Sequence, residues 1–303
     1  MNAAIRAVTR YGIYNGLQVY GFYEGYKGLI NNDFKVLDLS SVGGIIDRGG
    51  TFLYSARSER FKCIEGQKEA IKSLKNNNIE GLVVIGGDGS FRGAHDLHKH
   101  GIQVVGIPAT IDNDIAGTDY SIGFDTTLNV IIDLVSKIRD TAYSHDRIFV
   151  IEVMGRYSGL IAVNAGLACG ADFILIPERE VDLAGIAKDI KENRKDKRHT
   201  LIITAEGVAK ASEVASSIKL LVGREVRVSV LGHIQRGGSP TALDRILAAE
   251  FGRKAVDLLL KNESDRMVGI KAMKIITHKF GDILETAKGI DQSLYDLVNI
   301  LSN

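Results

Sequence analysis

The sequence predicts an α/β protein, doubly wound on mostly parallel sheets, and three observations carry that prediction. Short continuous apolar runs recur along the chain, most of them end at a Gly, a Pro or a charged turn, and helix-length amphipathic stretches alternate with them. Runs of that length without alternation read as parallel strands buried on both faces. Their regular exchange with helices is the α/β pattern. In such sheets ligands gather beyond the carboxyl ends of the strands, and there this chain keeps its Gly and charged residues.

In chain order, Ala3, Ala4, Ile5, Ala7, Val8 and Tyr11 space a helix beginning almost at Met1, with Asn2 as its candidate cap. No strand precedes that helix. Leu82–Ile85 is the first clear strand, running into Gly86-Gly87-Asp88-Gly89-Ser90 and a helix towards His100. Val104–Ile107 ends at Pro108, ahead of a turn with Asp112. The stretch Thr126–Tyr143 reads as a long helix bridging two lobes. Ile148–Ile151 with Val153 leads into Gly155–Gly159 and another helix. Phe173–Ile176 ends at Pro177, Leu201–Ile203 ends near Glu206, and Val226–Leu231 ends at Gly232-His233.

Composition narrows the function classes. A chain of 303 residues holds one large core or two moderate ones. Lys plus Arg (38) against Asp plus Glu (37) gives a net charge of +1, so nothing points to nucleic acid or an acidic membrane. Local basic clusters can still hold phosphate. Cys63 and Cys169 have neither metal-like spacing nor a disulfide framework, which suits a reducing cytosol. No apolar run approaches the roughly 20 residues of a membrane helix, and no secretion signal opens the sequence.

Four groups of residues could carry chemistry. In Gly86–Ser90, glycines after a buried strand let backbone N–H groups approach an anion, helped by the dipole of the following helix. Asp88 there suits Mg²⁺, against the bland reading of a helix N-cap. In Pro108-Ala109-Thr110-Ile111-Asp112-Asn113-Asp114, an extended backbone would turn Asp112 and Asp114 to one side. Two close carboxylates need a metal, donors or a proton to offset their repulsion; the bland reading is an Asx-rich turn. Arg147, Arg156, Arg227, His233 and Arg236 fall near strand ends, where arginine clamps phosphate bidentately. Finally, Arg6 and Arg10 share a helix face, and Lys195, Lys197 and His199 form a second basic cluster whose default reading is solvated charge.

Taken together these segments resemble the ATP-dependent 6-phosphofructokinases of the bacterial type. The carrying residues are Met1–Arg6, Arg48–Leu53, Ser55–Arg57, Gly86–Ser90, Thr110–Asp114, Glu152–Tyr157, Gly223–Glu225 and Leu231–Pro240. The resemblance implies two three-layer α/β/α lobes. Residues 1–123 and 235–285 would form the larger, ATP-binding lobe; 124–234 and 286–303 would form the smaller, sugar-phosphate lobe. It implies transfer from MgATP to the 1-hydroxyl of fructose 6-phosphate, a step of glycolysis. On that reading Asp112 is the base, supported by Asp114, and Asp88 holds Mg²⁺. Tyr26, Arg57, Ser58, Gly87, Gly89, Ser90 and Gly93 line the ATP site, and Thr110 and Arg156 steady the moving phosphoryl group. Ile111, Met154, Gly155, Glu206, His233 and Arg236 join them on the sugar phosphate, with Arg147 and Arg227 offered by a neighbouring subunit.

The resemblance further implies a cytoplasmic homotetramer with an allosteric site for ADP or phosphoenolpyruvate. That site falls on Arg6, Arg10, Arg139, Asp172, Lys195, Lys197 and His199. Leu39 stands where the family usually offers another Arg, and Ser58 replaces a usual aromatic. Gly89 and Ala109 favour ATP, because pyrophosphate-using relatives carry Asp and Lys at those places. Family members begin with a strand and a Gly-Gly-Asp loop just before the Met1–Arg6 helix, so the expectation is a native chain that starts earlier. The competing readings are a non-catalytic nucleotide or effector sensor and a pyrophosphate-dependent enzyme.

Overall fold

The structure is a computed structural model that describes residues 1–145, 147–193 and 199–302. Lys195 and Lys197, expected at an effector site, lie outside them. The chain divides into two compact units: residues 1–111, 115–125 and 238–288, and residues 112–114, 126–237 and 289–303.

The first unit opens with α1 (Asn2–Tyr14). Asn2 is not its cap, contrary to expectation. It sits inside the first turn, 3% exposed, donating to the carbonyls of Arg48 (3.1 Å) and Gly49 (3.2 Å) and accepting from the Phe52 N–H at 2.8 Å. The side chain therefore staples the helix to the 48–52 loop. β1 (Val19–Phe22) and β2 (Phe34–Leu37) pair antiparallel on either side of α2 (Tyr26–Asn31) in the sequence. Then come α3 (Ile64–Asn76), β3 (Gly81–Gly86), α4 (Asp88–Lys99) and β4 (Gln103–Pro108). β3 and β4 run parallel, Gly81 opposite Gln103 through Gly86 opposite Pro108. This is the strand–helix–strand unit expected from the sequence.

The second unit begins within α5 (Phe124–His145) and continues through β5 (Ile148–Val153), α6 (Leu160–Cys169), β6 (Phe173–Leu175), α7 (Leu183–Glu192), β7 (Thr200–Ala205), α8 (Ala211–Val222) and β8 (Val226–Val230). Its four strands are all parallel in the order β6-β7-β5-β8. β7 is buried at every position and β5 at all but Glu152, as unalternating apolar strands should be. β8 departs from that expectation. It is an edge strand, and Val228 and Val230 are 39% and 60% exposed.

The chain returns to the first unit with α9 (Ala242–Leu260), β9 (Arg266–Lys271), β10 (Lys274–Lys279) and α10 (Phe280–Ile283). α11 (Gln292–Leu301) belongs to the second unit. The first unit's main sheet has the order β10-β9-β4-β3, with β9 parallel to β4 and β10 antiparallel to β9. α1 lies on α9 so closely that a Cβ at Gly252 would stand 2.5 Å from that of Ala7. Phe91 and Phe280, fully buried, press on Gly106 of β4. Cutting a phenyl ring from such a site to Ala costs about 3–5 kcal/mol. β3 has no strand partner on its outer edge among the described residues. A cavity of about 350 Å³ runs beside it, lined by Val19, Gly21, Leu37, Val83, Ile85 and Leu259 among others.

Candidate active site

The first unit presents a phosphate-sized turn. β3 stops at Gly86, Gly87 is the N-cap of α4, and Asp88 is the first helical residue, so Asp88 is not itself the cap. The Gly87 carbonyl accepts from the Ser90 and Phe91 N–H groups at 3.0 and 3.1 Å, so the N–H groups ahead of them, at Asp88 and Gly89, form a ready anion seat. At Gly89 nothing lies within 4 Å of where a Cβ would be, so the approach is open. Pairing runs one residue past β4, the Ala109 N–H donating to the Gly86 carbonyl at 2.9 Å. That brings the Thr110 Cβ to 3.8 Å from the Cβ position of Gly87. Ser121 Oγ donates to the Thr110 carbonyl (2.7 Å) and the Ile122 N–H to that of Pro108 (3.0 Å), fixing the segment.

Beside this turn the Tyr26 hydroxyl donates to the Ser90 carbonyl at 2.5 Å. Its ring stacks on Phe61 with centroids 3.9 Å apart, and both rings press on the buried Gly93. Burial, then the charge of Asp96, pushes the Tyr26 phenol well up, so it remains a donor. Ser58 Oγ accepts from the Phe61 N–H at 3.3 Å, while Arg57 is exposed.

Asp88 has a partner that the sequence reading passed over. Its Oδ2 accepts from Arg92 Nε at 2.9 Å, and Arg92 also donates to the Leu284 carbonyl (2.7 Å) and pairs with Glu285 (3.4 Å). The i,i+4 spacing of Asp88 and Arg92 was the available signal. Among the described residues no three His, Cys, Asp or Glu side chains are grouped to hold a metal. A single half-exposed carboxylate at a helix N-terminus does fit Mg²⁺ arriving with a nucleotide, since that ion takes one or two carboxylates plus phosphate oxygens and waters.

The second unit holds the other carboxylate. Asn113, at φ +52°, turns the backbone left-handed, so Asp112–Asp114 is kinked and not the extended segment expected. The two carboxylates still interact. Burial raises the Asp112 carboxyl above its ordinary value, the charge of Asp114 adds to this, Arg236 opposes it, and Glu206 raises it further. Met154, Gly155 and Arg156 leave the end of β5, Gly155 at φ +128° with the Ser158 carbonyl 2.4 Å from where a Cβ would be. Only Gly takes that conformation without strain. The Glu206 N–H donates to the Val153 carbonyl (2.9 Å) and the Gly207 N–H to that of Gly155 (3.2 Å), aligning Glu206 with the Arg156 loop. Glu178 accepts from the Gly159 N–H through both oxygens, at 2.9 and 3.1 Å, and closes that loop; the sequence reading missed it. Exposed His233 and Arg236 stand on a short 3₁₀ turn, Gly232–Arg236.

Arg147 and Arg227 are not brought to this group within the chain. Both pair with Glu225, at 3.3 and 2.6 Å, at the amino-terminal ends of β5 and β8. Met154 lies at the opposite end of β5, about 20 Å away at the strand rise of roughly 3.3 Å per residue. Of the expected effector residues, Arg139 donates to the Cys169 and Gly170 carbonyls at the end of α6. Burial pushes the Cys169 thiol up to about 11. Asp172, 2% exposed, accepts from the Leu201 N–H at 2.8 Å, and His199 immediately precedes β7. Arg6 and Arg10 lie on α1 in the first unit, Arg10 donating to the Leu39 carbonyl at 3.4 Å.

Parallel strands that end in a glycine turn at a helix N-terminus, followed in the chain by a partly buried acid that feels the charge of Arg236, fit an α/β enzyme of the phosphotransferase class. The sequence matches the phosphofructokinase family over residues 1–259. Over all 303 residues it is 55% identical to an ATP-dependent 6-phosphofructokinase of Shouchella clausii and 54% identical to that of Bacillus subtilis, covering 95% of each. The phosphofructokinase structure from Saccharomyces cerevisiae superposes with a TM-score of 0.86 at 38% identity, over 93% of this chain and 43% of the yeast chain. The chain belongs to the phosphofructokinase family.

Proposed function

We propose that the chain transfers the γ-phosphoryl group of ATP to the 1-hydroxyl of fructose 6-phosphate, the glycolytic reaction its curated relatives are named for. One observation carries this reading furthest: Asp112 is a carboxylate whose proton affinity is raised by burial and by Asp114, with Arg236 as the opposing charge. Such a group is suited to accept a hydroxyl proton as that hydroxyl attacks. Thr110, two residues earlier in the chain, stands at the Gly87 turn, where the nucleotide phosphates would lie against the first-turn N–H groups of α4. Arg156 meets the charge that spreads over the transferring group. His233, Arg236 and Glu206 hold the sugar phosphate and its hydroxyls. Mg²⁺, carried in with ATP and held through Asp88, would neutralise phosphate charge.

Arg147 and Arg227 pair with Glu225 at the end of β5 and β8 opposite Met154, which supports their service to a neighbouring copy. The exposed apolar edge at Val228, Val230 and Ile234 (39, 60 and 56% exposed) supports self-association, up to the tetramer. Arg6, Arg10, Arg139, Asp172 and His199 are assigned to an ADP- or phosphoenolpyruvate-responsive site between subunits, and the setting is the cytoplasm. Gly89, with open space about it, favours ATP over pyrophosphate. An assay coupling fructose 1,6-bisphosphate formation to NADH loss tests the reading. Turnover with ATP and fructose 6-phosphate, and none with pyrophosphate, is expected; turnover with pyrophosphate alone would overturn the donor assignment. Gly89→Asp should lower kcat/KM for ATP by about tenfold or more by misplacing the phosphates.

A further inference from the structure

Gln235 is absent from every set of site residues above, yet it is the buried member of the His233–Arg236 turn, 1% exposed between neighbours that face solvent. A 3₁₀ turn repeats every three residues, so His233 and Arg236 share one side. Gln235 points to the other. Its side-chain Oε1 accepts from the Met154 N–H at 3.2 Å, and its Nε2 donates to the Gly232 carbonyl at 3.1 Å. Its own carbonyl accepts from Thr127 Oγ1 on α5 at 3.0 Å.

The strand register explains why this amide is needed. β8 runs beside β5 as far as Val230 opposite Glu152, and the Leu231 N–H still donates to the Glu152 carbonyl at 3.0 Å. The chain then leaves β5 for the turn, and the next N–H along β5, that of Met154, loses its strand neighbour. Buried, it would be costly unpaired. The Gln235 amide oxygen takes the place of the departed strand. One side chain thus ties the Met154-Gly155-Arg156 loop to the His233 and Arg236 turn. Both needs are met by one amide, since a carboxylate could accept from Met154 but not donate to Gly232.

We propose that Gln235 is a positioning residue for the sugar-phosphate half of the site, holding Arg236 and His233 in register with Arg156 without touching substrate. This inference rests on the kinase reading above, and the test keeps the two apart. The intact chain is assayed first; if it turns over neither phosphoryl donor with fructose 6-phosphate, the kinase reading has failed. In an active protein, Gln235→Leu should raise KM for fructose 6-phosphate about tenfold or more, the penalty of a small misplacement, while KM for ATP stays within about twofold. Gln235→Glu, which keeps the acceptor for Met154, should recover part of that loss. Thr127→Val should shift the same constant in the same direction by less, and Thr127→Ser should be near wild type. A Gln235→Leu protein that is soluble and melts lower but keeps its fructose 6-phosphate KM would overturn the proposal. So would equal changes in both KM values. If Gln235→Leu does not fold, the Glu and Thr127 variants decide by the same split.

Discussion

Asp88 and Asp112 both follow parallel strands of one sheet, but their surroundings suit them to the different work proposed for them. Asp88 is half exposed, sits in the first turn of α4 and is neutralised by Arg92 at 2.9 Å. Asp112 is partly buried and its proton is held more tightly than an ordinary aspartate's. An exposed carboxylate at a helix N-terminus can exchange an arginine for a metal ion at little cost. A partly buried one that feels the charges of two other acids gains from taking up a proton. The difference lies in solvent and neighbours, since the side chains are the same.

The sharpest way to break this comparison is to remove the proposed base. Asp112→Asn should keep the shape and lower kcat by about 10²- to 10⁴-fold, the usual range for a positioned general base. A loss below tenfold in steady-state assays would move proton transfer to another group. Asp88→Asn should act on the ion instead. The Mg²⁺ concentration for half-maximal rate should rise about tenfold or more, by analogy with lost metal-site contacts, and saturating Mg²⁺ should restore much of kcat. If Mg²⁺ titration leaves Asp88→Asn unrescued, the division of labour fails.

The pH profile offers a finer cut. As the proposed base Asp112 must be ionised, and its carboxyl is raised, so the acid limb of kcat/KM should lie above the ordinary aspartate value of about 3.9. Burial comes first among the causes and the charge of Asp114 second. Asp114→Asn removes only the second, so its acid limb should move to lower pH yet stop above the ordinary value. A limb that does not move would separate Asp114 from the base.

Much of this arrangement was legible in the sequence. β3, β4, β5 and β7 announce themselves as apolar runs, and the turns at Gly86–Ser90 and Met154–Arg156 sit at their ends. The β9–β10 hairpin was missed because its turn is Ala272-Met273, both at positive φ (46° and 63°), without the Asn or Gly that usually marks such a turn. The exposure of β8 was hidden because edge position depends on sheet order, which local sequence does not carry. Asn113 broke the two-residue alternation assumed for Asp112 and Asp114. Gln235 was overlooked because its importance comes from the point where β8 leaves β5, a tertiary fact.

The smallest effect expected is also the most discriminating for Asp88. If Arg92 merely occupies the carboxylate until the ion arrives, Arg92→Leu should make Mg²⁺ bind more tightly. The pair is about half exposed on both sides (51% and 52%). Exposed i,i+4 pairs contribute only about 0.3–0.5 kcal/mol, so removing the competitor should improve Mg²⁺ affinity about twofold. Arg92 also donates to the Leu284 carbonyl, so some loss of melting temperature should accompany the gain. A Mg²⁺ titration of the rate at fixed ATP reads the first effect and a thermal melt the second. Should Arg92→Leu instead raise the Mg²⁺ concentration for half-maximal rate about tenfold or more, Arg92 would be holding Asp88 in place for the metal, and its pairing would be part of the site.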